Sequence, residues 1–393
     1  MQPLTGITVV TLEHAIAGPF ATRQLADLGA RVIKVERPGV GDFARAYDER
    51  VRGLASHFVW TNRSKESLTL DVKHPESNAI LRRLVIDHAD VVVQNLAPGA
   101  AARLGLSYAA LSAAKPAIIV CDISGYGSEG PYRDKKAYDL LIQSEAGFLS
   151  VTGTEAEPAK AGCSIADIAA GMYAYTNILA ALLERGRTGR GRHLDVSMLE
   201  SLVEWMSYPL YYAFDGADPP PRTGASHATI YPYGPFPAGD GKTIMLGLQN
   251  EREWSIFCER VLMRPDLASD PRYASNSKRS AAREELHRII VAVFGQLTAA
   301  EVLRRLDEAR IANAQVNDMH DVWQHPQLAA RRRWRDVDSP SGPIPALLPP
   351  GTDDEATPQW GAVPALGAHT DSILTDLGYS PQRIADLRAE GAI

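Results

Sequence analysis

Over its first two hundred residues the chain alternates short runs of apolar, often β-branched positions with longer stretches where apolar residues recur every three or four places. The short runs at 7–12, 31–36, 67–72, 91–95, 117–122 and 193–197 predict strands. The stretches at 20–28, 76–88, 100–113 and 166–185 predict helices, the last ending at Gly186. Continuously apolar strands separated by helices long enough to cross over indicate a parallel sheet covered on both faces. Ligands of such sheets sit at the carboxyl ends of the strands. That places residues 14–18, 37–42, 95–98 and 124–132 on one functional rim. The pattern changes near Asp215, where Pro219, Pro220, Pro221 and Gly224 mark a linker. A turn at 239–242, a strand at 243–247 and helices at 251–262, 279–294 and 299–309 make a smaller α/β unit. Residues 352–364 read as loose and 371–377 as a final helix, with Arg331 to Arg335 a solvated, dipole-complementing helix end. The expected fold is α/β: a Rossmann-like large domain with a parallel sheet, plus a smaller α/β domain. Its boundaries are 1–215, 216–318 and a return at 319–393.

Composition narrows the partners. The 393 residues carry a formal charge of −6, the wrong sign for a nucleic-acid-binding surface. Cys121, Cys163 and Cys258 show neither a C-x-x-C nor a metal spacing, so we expect no disulfide framework and a cytoplasmic location. Cys163, with no nearby His or Lys to lower its pKa, reads as a buried packing residue. No basic, apolar leader opens the chain, and no apolar run of about 18 residues is free of Gly or charge. A membrane partner is therefore not expected. Gly125, Gly127 and Gly130 match G-x-G-x-x-G, but Pro131 to Lys136 reads as loop and Glu129 would repel a pyrophosphate. No metal motif is present, and none is expected to be needed.

The stretch from Cys163 to Met172 carries the candidate chemistry. Ser164 precedes an apolar periodic run with an acid three residues on, which marks a helix start. Asp167 then lies in the first turn, where free amides favour an ionised carboxylate. Such a carboxylate can be a nucleophile, and equally it can serve only to stabilise the helix end. Arg37, Arg103 and Lys136 follow successive strands and are placed to meet one polyanionic ligand.

At these residues the chain resembles the family III coenzyme A transferases. The markers include Ala17-Gly18-Pro19, the run Val32 to Asp42, Val93 to Gly99 with Arg103-Leu104-Gly105, and Ser124 to Gly127. Others are Ala166-Asp167 with Gly171, Arg187 to Gly191 and Gly367 to Asp371. The resemblance implies that Asp167 is the catalytic aspartate. It also implies CoA contacts at Ala15, Arg37, Leu70, Asn95, Leu96, Arg103, Lys136 and Tyr138, and an interlaced homodimer. Acyl-CoA and a carboxylate would be the substrates, CoA would enter as a substrate, and no permanently bound cofactor is implied. No tetraglycine loop of the formyl-CoA transferase kind is found. The superfamily also holds α-methylacyl-CoA racemases, which use a His-Asp pair where this chain has Tyr138-Asp139. Tyrosine, with an unperturbed pKa of about 10, is a poor base at neutral pH. A non-catalytic CoA-binding protein is the remaining alternative. The stretches 222–236 and 247–254 look most like members acting on C4–C5 dicarboxylates, with Arg222 or His227 expected at the distal carboxylate. His227 would donate best when protonated.

Overall fold

The computed structural model describes residues 2–352 and 360–393. Six strands, β1 (Thr8–Leu12), β2 (Arg31–Glu36), β3 (Lys65–Thr69), β4 (Val91–Gln94), β5 (Ile119–Ser124) and β6 (His193–Ser197), form one sheet in the order β3-β2-β1-β4-β5-β6. Every pairing in it is parallel. The order reverses between β1 and β4, the topological switch point at which doubly wound sheets open a crevice. Val10, Ile33, Leu68, Val92 and Val120 bury one face against Ile80 and Leu84 of the helix Pro75–His88. Leu374 and Leu387 of two C-terminal helices, Thr370–Asp376 and Pro381–Ala389, complete that layer. The second of these was not foreseen, although Ser380 caps it and Pro381 opens it. The expected helix at 100–113 is two, Ala100–Arg103 and Tyr108–Ala114. Gly105, at φ +76°, ends the first, and Ser107 caps the second.

The crossover from β5 to β6 contains the longest helix, Ile165–Thr188. It runs through Gly186 and stops where Gly189 takes a left-handed conformation and donates its N–H to the Arg185 carbonyl. By length and composition this helix passes for a membrane span, although Asp167 and Gly171 interrupt its apolar run. It is instead packed in the unit, burying Ala169, Ala170, Ala174 and Ile178. The closest approach is to the helix Ala17–Asp27. A Cβ on Gly171 would lie 2.8 Å from the Ala17 carbonyl oxygen and 2.9 Å from Phe20 Cδ1, so only glycine permits this packing.

Contacts divide the chain into one unit of Met1–Gly147, Ala161–Ser207 and Leu328–Ile393, and a second of Phe148–Lys160 and Tyr208–Gln327. The segment Phe148–Lys160 joins the second unit because Gly224 donates its N–H to the Gly153 carbonyl and Arg222 holds the carbonyls of Thr154 and Glu155. The second unit has an antiparallel sheet of β7 (Tyr233–Pro237), β8 (Thr243–Gly247) and β9 (Ala312–Gln315) around Phe236, Trp254, Phe257 and Phe294. Its expected helix at 251–262 becomes π-helical over Phe257–Val261, and 279–294 is broken at Ala282. Of the arginine cluster at 331–335, Arg331 and Arg332 are exposed just beyond the helix Pro326–Ala330, as expected, whereas Arg333 departs from that reading. Arg333 donates to the carbonyls of Leu348 (3.0 Å) and Thr352 (2.7 Å), at the base of a hairpin of β10 (Trp334–Val337) and β11 (Ile344–Leu347). Most of the expected loose segment, 353–359, lies outside the described residues.

Candidate active site

The mouth of the helix Ile165–Thr188 is capped from outside. Ser164 occupies the N-cap position, but its side chain makes no capping bond. Asp139, the first residue of the helix Asp139–Glu145, accepts instead from the backbone N–H of Ala166 (2.8 Å) and of Asp167 (3.4 Å) through Oδ1. Its Oδ2 accepts from Gln143 Nε2 at 2.6 Å, and Gln143, fully buried, takes the Ala161 N–H at 2.9 Å through Oε1. The amides expected to hold Asp167 ionised are therefore engaged by a second carboxylate. Burial pushes the Asp167 carboxyl up, the Asp139 charge adds to this, and only the Ala17 backbone N–H pulls it down; the result is about 7. Near neutral pH the group holds its proton about half the time, and when ionised it is a carboxylate with little solvation to lose before attack. The Tyr47 phenol is pushed up to about 12 by burial, then by Asp42 and Asp167, so it stays neutral and able to donate.

The Ala17 amide comes from the turn after β1, and that turn rests on a bed of compensated charge. Lys65 donates to Glu13 Oε1 (2.6 Å), the Pro19 carbonyl (2.9 Å) and Asn62 Oδ1 (3.1 Å). Burial pulls Lys65 down to about 7, but these bonds use all three protons of an ammonium group, so we take it as charged. Thr11 and Thr22 hydroxyls satisfy the other Glu13 oxygen at 2.8 and 2.7 Å. Lys34, fully buried, binds Asp42 Oδ2 at 2.7 Å. Arg45 makes a two-pronged pair with Glu36, at 2.8 and 2.7 Å. Gly18 has no room for a side chain, because a Cβ would sit 3.0 Å from Glu13 Cβ. None of this bed was read from the sequence, where Lys34 and Glu36 stood only as members of the strand expected at 31–36.

The residues expected to contact CoA all belong to the first unit and follow strand ends. Arg37, Arg103 and Lys136 are exposed and form no ion pair among the described residues. Arg37 lies within electrostatic reach of His14, whose imidazole is pushed down chiefly by burial. Ala15 is at φ 60°. Leu70 is buried in the core, so only its backbone is available to a ligand. Leu96 packs half-buried against the same core, and Tyr138 is exposed. Asn95 spends its side chain on the backbone of His14, accepting from N–H at 2.8 Å and donating to C=O at 2.9 Å. A cavity of 260 Å³ opens beside Arg37, lined by Pro38, Gly39, Thr69, Thr370 and Arg388. The G-x-G-x-x-G stretch is loop, with Ser128 held on Asp195. Cys163 is exposed, not buried, since it precedes the helix instead of lying within it.

Arg222 and His227 lie in the second unit. The Arg222 guanidinium donates to the carbonyls of Thr154 and Glu155, both at 2.9 Å. His227 Nδ1 accepts from the amides of Thr229 (3.2 Å) and Ile230 (3.1 Å), and its ring stacks on Tyr233. An imidazolium could not accept these bonds, so this geometry selects the neutral ring, contrary to the expectation of a protonated donor. Among the described residues no group of three or more His, Cys, Asp or Glu side chains is placed to hold a metal ion.

The model of CoA-transferase family III matches residues 4–370. The chain is 34% identical to succinyl-CoA:glutarate CoA-transferase of Mus musculus, covering 100% of this chain and 91% of that protein. It is 35% identical to succinate–glutarate CoA-transferase of Agrobacterium fabrum, covering 95% of this chain and 96% of that one. Among solved structures, a CAIB/BAIF family protein from Brucella suis superimposes with a TM-score of 0.84 at 33% identity, covering 96% of this chain and 99% of that one. With a switch-point sheet, a carboxyl at a helix mouth and a family match over nearly its whole length, the chain belongs to CoA-transferase family III.

Proposed function

We propose that the enzyme moves CoA from succinyl-CoA, or a related dicarboxylyl-CoA, to a C4–C5 dicarboxylate through a thioester on Asp167. The observation that carries this reading is the Asp167 carboxyl in the first turn of the helix Ile165–Thr188, beside the Asp139 carboxylate that takes that turn's amides. An Asp167 oxygen attacks the thioester carbonyl, the C–S bond breaks, and CoA thiolate leaves an acyl-aspartyl anhydride. The thiolate attacks the Asp167 carbonyl carbon, releasing the donor acid as carboxylate and leaving an aspartyl-CoA thioester. The acceptor carboxylate opens that thioester to a second anhydride. The same thiolate then attacks the acceptor acyl carbon and frees Asp167. No proton is gained or lost and no ATP is consumed, because one thioester replaces another. The Ala17 N–H is the donor best placed to meet charge developing at Asp167.

Names of relatives that use succinyl-CoA with glutarate or D-citramalate support the substrate class. The racemase alternative is weakened by Tyr138 in place of a His and by an Asp139 whose two oxygens are already engaged. The reading includes an interlaced homodimer, for which exposed Leu183 and Trp205 supply apolar surface. The test is a screen of carboxylate acceptors with succinyl-CoA as donor. Transfer to glutarate, mesaconate or citramalate is expected, with little to acetate. Exchange of an acyl-CoA α-proton in deuterated water without CoA transfer would replace this reading with the racemase one.

A further inference from the structure

We propose that Asp42 and Asn95 form a two-sided clamp that sets the turn from His14 to Gly18, making both positioning residues for the reaction at Asp167. The inference rests on the proposed role of Asp167 and adds residues to it. The turn contains a non-glycine residue, Ala15, at φ 60°, a conformation an L-residue rarely adopts and that persists only when its surroundings impose it. Asp42 Oδ1 accepts the Ala15 N–H at 3.2 Å, and Asn95 holds both the N–H and the C=O of His14. Two residues beyond Ala15, Ala17 packs on the Asp167 helix so tightly that a Cβ on Gly171 would lie 2.8 Å from its carbonyl oxygen, and its N–H favours the charged form of Asp167.

Asp42 is itself immobilised. Its Oδ2 takes Lys34 at 2.7 Å, its Oδ1 also caps Phe43–Ala46 through the Ala44 N–H at 2.9 Å, and its own N–H goes to Glu36 Oε1 at 3.0 Å. Its side chain is completely buried, as is that of Lys34. A buried ion pair is weak support for stability, since well-packed apolar residues of the same volume often serve as well. What an apolar pair cannot supply is a fixed acceptor aimed at the Ala15 amide. Asn95 makes the same point without charge: a residue whose amide is fully used on a neighbouring backbone sets that backbone first. The charged and titratable groups that face Asp167 are Asp139 and Tyr47, with Tyr138 beside Tyr47, and none of them belongs to the clamp.

Two double variants separate positioning from folding. Asp42→Asn with Lys34→Met removes the ion pair but keeps an acceptor at the Ala15 amide. Asp42→Leu with Lys34→Met removes the pair and the acceptor at similar volume. The first is expected to exceed the second in kcat by about tenfold or more, with the KM for acyl-CoA differing by less than about threefold. Hydrogen exchange at residues 14–17 should be faster in the second. Equal kcat and equal exchange in the two would overturn the clamp. If the leucine variant fails to fold, Asn95→Ala tests the other jaw with no change of charge. A fall in kcat of about tenfold with faster exchange at 14–17 supports positioning. A rise in acyl-CoA KM at unchanged kcat makes Asn95 a CoA contact only and overturns it. Absence of CoA transfer by the wild-type enzyme would instead defeat the reading of Asp167, which the exchange measurement does not depend on.

Discussion

The mouth of the Asp167 helix and the bed beneath the 13–19 turn are made of the same residue types and handle charge in opposite ways. In the bed, Glu13, Asp42 and Glu36 each have a cation of their own, at 2.6, 2.7 and 2.7 Å. Burial by itself opposes charge on Lys34 and Glu13, yet the facing partners hold Lys34 above and Glu13 below its ordinary value. At the mouth, Asp167 faces another carboxylate, and its ionisation is made harder by both burial and Asp139. Compensated charge fixes geometry; uncompensated charge leaves a group that gains from reacting. The exposed cations of the rim, Arg37, Arg103 and Lys136, belong with the second kind, since no carboxylate of the described chain answers them.

That contrast can be broken at the rim. Replacing Arg37, Arg103 or Lys136 singly by Ala should raise the KM for both the acyl-CoA donor and free CoA. A lost charge-assisted hydrogen bond of about 1.5–3 kcal/mol corresponds to roughly tenfold or more. Acceptor KM should stay put. A defect confined to the acceptor would show that these cations do not meet CoA.

A smaller effect sharpens the contrast at the helix mouth. Asp167 must lose its proton to attack, and its folded pKa is raised to about 7, so kcat/KM should fall as pH drops through about 7 and level off above it. Asp139→Asn removes the facing charge while keeping an oxygen for the Ala166 amide. The acid limb should move to lower pH, with a few-fold change in plateau rate. An unmoved limb would mean that Asp139 does not govern Asp167.

The sheet was legible because its strands are apolar on both faces and its helices periodic. Six strands were found within about three residues of their expected positions. The helix start that places Asp167 in a first turn was legible from a local signal, an acid three residues after a serine at the start of an apolar run. What supports it was not. Asp139 caps the helix from 27 residues away, Asn95 holds His14 from 81 away, and Lys65 reaches Glu13 across 52. Periodicity carries no information about such pairs. The buried Lys34 and Lys65 also ran against it, because a lysine in a strand reads as its solvent edge until its partner is seen. The helix at 381–389 was passed over because its stripe is thin, with only Ile384 and Leu387 buried.

The central claim is that Asp167 becomes covalently bonded to CoA during transfer. The direct test is to mix enzyme with succinyl-CoA, quench during turnover with borohydride or hydroxylamine, and map modified peptides by mass spectrometry. A label on Asp167 that needs the acyl-CoA is expected, and none in an Asp167→Ala enzyme that has lost transfer but remains folded. A label on another carboxylate, or transfer that survives in the alanine variant, would contradict it.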